Sequence, residues 1–200
     1  MLFSNLPSDN PFQIFQDYYV RAEDYGDKFA EAGCISSVDK NNQPHSRFVN
    51  FKYFFEDNLI FFSNYKSHKA QNFIDNNKVC INFWWPNIEV QVRIEGIIRK
   101  CEEKFSDEHF QGRKPSKNIA ALVSEQSKKI ESYDLLKEKY EAMRERVENG
   151  AYNQSRPENW GGYQIKVHFF EFWQANDDRL NYRECYEKSD KSWSKFFLQS

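Results

Sequence analysis

A long run of alternating apolar and polar residues near the C-terminus is the feature that most constrains the fold. From Trp160 to Trp173 the sequence reads W-G-G-Y-Q-I-K-V-H-F-F-E-F-W, and much of it has a period of two. The segment Glu89–Ile97 alternates in the same way. Alternation of this kind is typical of strands that have one buried face. The sequence therefore predicts a fold that is mainly β-sheet.

The other predicted elements complete one domain over residues 1–200. Asn10 and Pro11 predict a helix start, and the polar turn at 39–42 predicts an antiparallel hairpin between the first strands. Strands are predicted at 31–38, 43–53, 59–63 and 79–85, with C-terminal strands at about 160–200. Helices at 102–112, 116–125 and 133–149 form an elaboration over about 102–150. The total is about seven strands and four or five helices.

The composition argues against several classes of function. The formal net charge is −2 and the pI is near 6.1, whereas proteins devoted to nucleic acid usually carry a basic excess. No apolar run approaches the roughly 20 residues that a membrane helix requires. The four histidines show no metal-ligand spacing with one another or with the cysteines. We therefore expect no nucleic acid, no membrane and no metal.

The cysteines indicate a compartment. Cys34, Cys80, Cys101 and Cys185 are widely spaced and form no C-x-x-C pair. No signal-like apolar segment opens the chain. We therefore expect a reducing, cytoplasmic location.

Four basic residues near predicted strand ends indicate an anion site, namely Arg47, Lys52, His68 and Lys69. Ser67 is a suitable N-cap residue, and the start of a helix offers free backbone N–H groups to a phosphate. In an ideal strand Arg47 and Lys52 face opposite sides, so they would serve two different groups unless a β-bulge intervenes. The alternative is that these are ordinary surface cations.

Five motifs in order resemble the pyridoxine (pyridoxamine) 5′-phosphate oxidases. They are R-x-V-x-x-K from Arg47, S-N-Y-x-S-x-K-A from Ser63, Q-V-R-x-x-G from Gln91, V-S-E-Q-S from Val123, and E-F-W-Q-x-x-x-x-R-L-x-x-R from Glu171. The last is the most specific, and the resemblance runs from about Asn10 to the C-terminus. It implies an FMN-binding split β-barrel with α elaborations, assembled as a homodimer.

The resemblance also implies which residues bind FMN. Residue by residue, the matching positions are Arg47, Lys52, His68, Lys69, Gln91, Gln126, Ser127, Trp173 and Arg183. His68 stands where the family has an arginine, and a neutral imidazole there weakens phosphate binding and makes it pH-dependent. Taken alone, Gln91 is equally compatible with a solvated strand face. Gln126 and Ser127 are likewise compatible with a polar helix end.

The substrate side departs further from the family pattern. The matching positions are Lys52, His109, Arg113, Lys117, Arg179 and Asn181, and Arg179 takes the catalytic position that covers the substrate ring. The family has tyrosine, serine and histidine where this chain has His109, Lys117 and Asn181, respectively. Positive charge is retained in the motif H-F-Q-G-R-K-P-S-K, but its geometry is altered.

The function that the resemblance implies is an FMN-dependent oxidase. Such an enzyme converts pyridoxamine or pyridoxine 5′-phosphate to pyridoxal 5′-phosphate, with O₂ as acceptor and H₂O₂ as product. Its partners are thus a small phosphorylated pyridine, O₂ and a second copy of the chain. Two alternatives stay open: a related flavin oxidase that acts on another small ring, of the phenazine type, and a non-catalytic flavin-binding protein.

Overall fold

A computed structural model describes residues 1–8, 10–152, 155–190 and 192–200. Its helices are α1 Asn10–Asp24, α2 His68–Asp75, α3 Glu103–Gly112, α4 Pro115–Val123 and α5 Tyr133–Glu148, with a short 3-10 helix at Pro86–Ile88. Its strands are β1 Leu2–Ser4, β2 Ala32–Val38, β3 Pro44–Phe55, β4 Asn58–Asn64, β5 Lys78–Trp85, β6 Val90–Lys100, β7 Trp160–Gln174, β8 Tyr182–Ser189 and β9 Ser192–Phe197.

Six antiparallel strands close into a barrel. Hydrogen bonding runs in the order β3, β2, β5, β6 and β7, and β4 closes the ring because it pairs with both β7 and β3. Strands β8 and β9 extend the sheet from β7, and β1 adds in parallel to β3. The expectation of a mainly β split barrel is confirmed.

The apolar faces named by the sequence pattern form the core. In α1, Phe12, Phe15, Tyr19 and Ala22 are at most 1% exposed, and the helix covers one opening of the barrel with aromatic rings. The alternating apolar side chains of β6 are fully buried. Burial of a Phe-sized side chain contributes about 1.5–3 kcal/mol, so these stripes account for much of the stability of the fold.

A β-bulge in β3 decides how its basic residues are arranged. Phe51 pairs with Phe61, but Tyr53 pairs with Ile60, which leaves Lys52 as the extra residue. The bulge resets the alternation, because an extra residue shifts every later side chain to the other face. This is the condition under which Arg47 and Lys52 can serve one cleft.

The structure differs from the sequence-based prediction in a few elements. About seven strands were expected, whereas the described residues contain nine. The addition that no pattern indicated is β1, a three-residue strand that depends on the edge of β3. Helix α5 has the predicted apolar stripe, but none of its residues is buried. The polar run Lys188-Ser189-Asp190-Lys191 predicts a turn between the last two strands, and its end, Lys191, lies outside the described residues.

The helices also bear on the expected absence of a membrane segment. In the part of the chain that the structure describes, no helix has both the length and the apolar character needed to cross a membrane.

A close contact at Gly96 generates a test of the barrel. Gly96 follows the β6–β7 irregularity, and a Cβ there would lie 2.7 Å from the backbone oxygen of Lys166. We expect Gly96→Ala to lower the free energy of unfolding by about 1–3 kcal/mol, because backbone cannot easily move aside. Urea denaturation of the wild type and the variant, with equal flavin content, measures this difference in the free energy of unfolding.

The control is Gly112→Ala, at the end of α3, where a Cβ meets no atom within 4 Å. Alanine is the better helix former, so this change should leave stability equal or raise it by up to about 1 kcal/mol. Equal unfolding free energies for the two variants would contradict the packing argument.

Candidate functional site

A cleft of about 980 Å³ brings together most of the predicted site residues. It lies between β3, the start of α2, and the segment from α3 to the residues that follow α4. The predicted residues that line it are Arg47, Lys52, His68, Lys69, His109, Arg113, Lys117, Gln126 and Ser127. No Asp or Glu is among its described lining residues. The cleft therefore presents an excess of positive charge suited to anions.

Lys69 and Arg47 form one cationic group in this cleft. Lys69 is 7% exposed, and its Nζ donates to Ser63 Oγ at 3.0 Å and to Ser67 Oγ at 3.3 Å. Arg47 Nη1 donates to Ser37 Oγ at 2.7 Å. Burial, together with the charge of Arg47, lowers the pKa of Lys69 to about 8. Hydroxyls rather than carboxylates hold both cations, so their charge remains available to a bound anion.

The start of α2 lies beside this group. Ser67 occupies the predicted N-cap position with extended backbone, but its hydroxyl accepts from Lys69 instead of capping a backbone N–H. His68, the first helical residue, meets the ring of His45 edge-on at 4.5 Å between centroids. An anion here would face both the helix start and the two cations.

Arg113 belongs to a second cationic group in the cleft. Its Nη2 donates to the backbone oxygen of Lys117 at 3.1 Å, and its guanidinium lies 4.5 Å from the centre of the Trp160 ring. Its Nη1 is buried and has no hydrogen-bond partner among the described residues. Because an unsatisfied buried donor is costly, this nitrogen is suited to a ligand oxygen.

His109 lies beside Arg113, held on two sides. Its Nδ1 is 2.8 Å from Tyr53 Oη, and its ring stacks on Phe62 with 3.6 Å between centroids. Burial, together with the charges of Arg113, Lys52 and Lys117, lowers the pKa of His109 to about 4. Lys52 itself forms an ion pair with Glu31. At neutral pH the imidazole is therefore uncharged.

The residues after α4 fold back onto β4. Gln126 Oε1 accepts from Ser63 Oγ at 3.1 Å and from the backbone nitrogen of Asn64 at 3.3 Å. Ser127 has a φ of 74°, a left-handed conformation that turns the chain at this point. Gln126 and Ser127 are thus more than a polar helix end, since tertiary contacts bring them into the cleft.

The remaining predicted residues lie elsewhere, at one end of β6, β7 and β8. Gln91 pairs with Trp173, and Trp173 pairs with Arg183. Arg179 and Asn181 belong to the segment between β7 and β8, where Asn181 Oδ1 accepts from the backbone of Asn176 at 3.2 Å. None of these five predicted residues lines the cleft of its own chain.

Glu171 organises this second surface, and sequence reasoning gave it no role. It is 3% exposed. Its Oε1 accepts from Arg183 Nε at 2.7 Å and Nη2 at 2.6 Å, and its Oε2 accepts from Arg93 Nε at 2.9 Å and Nη2 at 2.8 Å. The available signal was a lone acid within the apolar run F-F-E-F-W.

Comparison with known proteins places this geometry in a family. The profile described as pyridoxamine 5′-phosphate oxidase matches residues 28–146, more than half of the chain. This chain belongs to that family. A second profile, the pyridoxine 5′-phosphate oxidase C-terminal dimerisation region, matches residues 160–200. Membership confirms the expected FMN-dependent oxidoreductase, and the second match supports the expected homodimer.

Individual relatives span nearly the whole chain. The pyridoxine/pyridoxamine 5′-phosphate oxidase of Colwellia psychrerythraea is 36% identical over 92% of this chain and 83% of its own length. The enzyme of the same name from Flavobacterium johnsoniae is 36% identical over 97% of this chain and 90% of its own.

A solved structure agrees on the fold. PhzG from Burkholderia lata, in complex with tetrahydrophenazine-1-carboxylic acid, has a TM-score of 0.89 at 22% identity, and the match covers 97% of this chain and 94% of that one. At this identity the likeness bears on the fold of this oxidase-family member, not on its substrate.

The Glu171 contacts generate a prediction. Removal of one partner from a buried ion pair is strongly destabilising, and the two arginines here are partly exposed, so we expect Glu171→Gln to cost roughly 2–4 kcal/mol. The matched control is Glu95→Gln, whose carboxylate also contacts Arg93 but is 39% exposed. An exposed pair contributes about 0–1 kcal/mol. Chemical denaturation measures the free energy of unfolding of both variants. Equal decreases in this free energy would refute a special role for Glu171.

Proposed function

We propose that this protein oxidises pyridoxamine or pyridoxine 5′-phosphate to pyridoxal 5′-phosphate, with FMN as cofactor, O₂ as acceptor and H₂O₂ as product. The observation that carries the proposal is the pair of cationic groups in one cleft that has no acid among its described lining residues. Two such groups suit two phosphates, one on the cofactor and one on the substrate. The names of the curated relatives point to the same substrates.

One cationic group binds the flavin phosphate. Lys69 supplies a buried charge and Arg47 a half-buried one, both held by hydroxyl groups, and His68 adds a donor at the start of α2. Gln126 and Ser127 lie beside them in the same cleft. This donor set fits a phosphate because it offers several charge-assisted hydrogen bonds and no competing acid.

The other group binds the phosphate of the substrate. Arg113 offers its unpartnered Nη1, and Lys117, His109 and Lys52 line the same part of the cleft. The bulge in β3 makes this possible, since it lets Lys52 reach the cleft that Arg47 also lines. The two phosphates thus have separate binding residues.

The protein residues contribute position and charge to the reaction. When bound, FMN supplies the redox chemistry, as it accepts a hydride from the substrate and passes the electrons to O₂. Binding both phosphates fixes the relative position of the two rings. This positioning is the main contribution of the protein to catalysis. No strong general base is demanded, so asparagine at position 181 is compatible with turnover.

Each site is completed by the partner subunit in a homodimer. Trp173, Arg179, Asn181 and Arg183 all fall inside the matched dimerisation region and lie outside the cleft of their own chain. Gln91 is their neighbour on β6. We place these residues over the partner's cleft, where Arg179 covers the substrate ring. A cytoplasmic location completes the proposal, since a reducing compartment suits the four free cysteines.

A related oxidase of another small ring is the second candidate. It is favoured by His109, Lys117 and Asn181, which depart from the family pattern on the substrate side. The positive charges of Arg113 and Lys117 argue for a phosphorylated substrate, because an unphosphorylated ring has no use for these cations.

The deciding experiment incubates purified protein with FMN and follows peroxide production. Flavin absorbance together with peroxide formed from pyridoxamine or pyridoxine 5′-phosphate supports the proposal. Flavin-loaded protein that is inactive on both esters means a different substrate or a non-catalytic flavin protein. Failure to bind FMN contradicts the cofactor assignment itself.

Separate phosphate sites predict separate mutant effects. Arg113→Ala should raise KM for pyridoxamine 5′-phosphate by about ten- to a hundredfold and leave FMN affinity nearly constant, since one charge-assisted contact contributes about 1.5–3 kcal/mol. Arg47→Ala should instead weaken FMN binding by a similar factor. Flavin titration and steady-state kinetics measure both effects. If either variant changed KM and FMN affinity by equal factors, two separate phosphate sites would be contradicted.

A shared site predicts complementation between impaired variants, assayed at substrate concentrations well below KM. A hybrid dimer of Arg113→Ala and Arg179→Ala, co-expressed with different tags, has both changes in one site and none in the other. It should recover about half of the wild-type activity per dimer, because one of two sites is intact. The control hybrid, Arg113→Ala with Arg47→Ala, keeps one defect in each site. Equal activity of the two hybrids would show that each site lies within one chain.

A further inference from the structure

His109 is the least expected residue of the substrate subsite, since the family motif has a tyrosine at this position. It lies on α3, one turn before Arg113, and lines the main cleft. Its ring also borders a smaller cavity of about 250 Å³ with Tyr53, Phe105 and Glu108. The imidazole thus separates the cationic cleft from a second, smaller space.

The contacts of the ring leave one nitrogen available. Nδ1 is engaged by Tyr53 Oη at 2.8 Å, and the ring plane is fixed against Phe62, with an interplanar angle of 6°. Nε2 has no hydrogen-bond partner among the described residues. A ligand oxygen in the cleft therefore meets an imidazole whose orientation is already set.

The charged groups around His109 come from every element packed against it. Strand β3 supplies Lys52 and Tyr53, the end of α3 supplies Arg113, and α4 supplies Lys117. Glu108 lies on the side of the smaller cavity, and Glu31 is already paired with Lys52. Strand β4 and the start of β7 contribute only the aromatic rings of Phe62 and Trp160. Three nearby cations and partial burial keep the imidazole neutral while no anion is bound.

We propose that His109 takes up a proton from solvent when a dianionic phosphate ester binds, so that the subsite acquires a matching positive charge only with its ligand. The inference rests on the proposed function, because it assumes that the cleft accepts a phosphorylated substrate. A phosphate ester carries a charge of about −1.5 to −2 at pH 7, so it offsets the positive charge that keeps the imidazole neutral and adds an acceptor for an imidazolium N–H.

The protonated ring would then donate from both nitrogens. Nε2–H donates to a phosphate oxygen, and Nδ1–H donates to the Tyr53 oxygen, whose own hydrogen turns away. Tyr53 does not supply the proton, since burial raises the pKa of its phenol. The proton comes from the buffer, and one proton is bound for each ligand. His109 thereby discriminates a dianionic ligand from a monoanionic or neutral one.

Calorimetry with a non-reactive analogue tests this coupling. The ligand is 4-deoxypyridoxine 5′-phosphate, which has no 4′ hydroxyl to oxidise, and the protein is loaded with FMN. Titration in two buffers of different ionisation enthalpy at pH 7.5 gives the number of protons taken up. We expect about half to one proton more for the wild type than for His109→Tyr, which hydrogen-bonds without titrating.

The pH dependence of affinity gives a second readout. From pH 7.5 to 6.5 the wild type should gain affinity relative to His109→Tyr by up to about tenfold, because one coupled proton changes log Kd by about one per pH unit. Unphosphorylated pyridoxine should show no such difference. His109→Gln replaces the tyrosine variant if that variant does not fold. If neither variant binds the analogue, the wild type at pH 7.5 decides: proton uptake with the analogue but not with unphosphorylated pyridoxine supports the role of His109, and no uptake overturns it.

The outcomes separate this inference from the proposed function. Equal uptake in wild type and variant, or none in the wild type, overturns the role of His109 and leaves the oxidase assignment standing. Failure of the wild type to bind the analogue overturns the substrate class, and the inference with it. Proton uptake that the wild type shows and the variant lacks supports both the role of His109 and the proposed substrate class.

Discussion

The closed ladder of six antiparallel strands is the constraint on which the rest of the structure depends. Strand β4 pairs with β3 on one side and β7 on the other, so segments far apart in sequence are held in fixed register. Strand β3 bulges at Lys52 where it pairs with β4, and the bulge decides which basic side chains line one cleft. The position of the site therefore follows from backbone pairing around an aromatic core.

The cleft concentrates charge at a cost to the unliganded protein. Lys69 is nearly buried, with hydroxyl partners only, and Arg113 keeps a buried nitrogen without a partner. Such groups are tolerated because the surrounding barrel supplies stability that the site itself does not. Bound anions offset the mutual repulsion of the cations in the cleft, so ligand binding should also stabilise the fold.

On the β6–β8 surface, in contrast to the cleft, a carboxylate forms ion pairs with the arginines. There a buried carboxylate, Glu171, satisfies two arginines and holds Arg183 in a fixed orientation. One chain thus carries a cleft in which Arg47, Lys69 and Arg113 have no carboxylate partner among the described residues and, elsewhere, a surface on which a carboxylate pairs with the arginines and orients them. In the proposed shared site a homodimer joins the two surfaces, which accounts for family motifs of a single chain that do not converge within it.

The sequence by itself determined the strand periodicity, the buried face of α1, the family and the cofactor, because these depend on local pattern and on motifs that survive as contiguous letters. It left open whether Arg47 and Lys52 line one cleft, whether Gln126 is more than a helix end, and what holds Arg183. Only the tertiary structure decided these points. A bulge, a folded-back loop and the Glu171 ion pairs each depend on contacts between distant segments, and no local periodicity encodes such contacts.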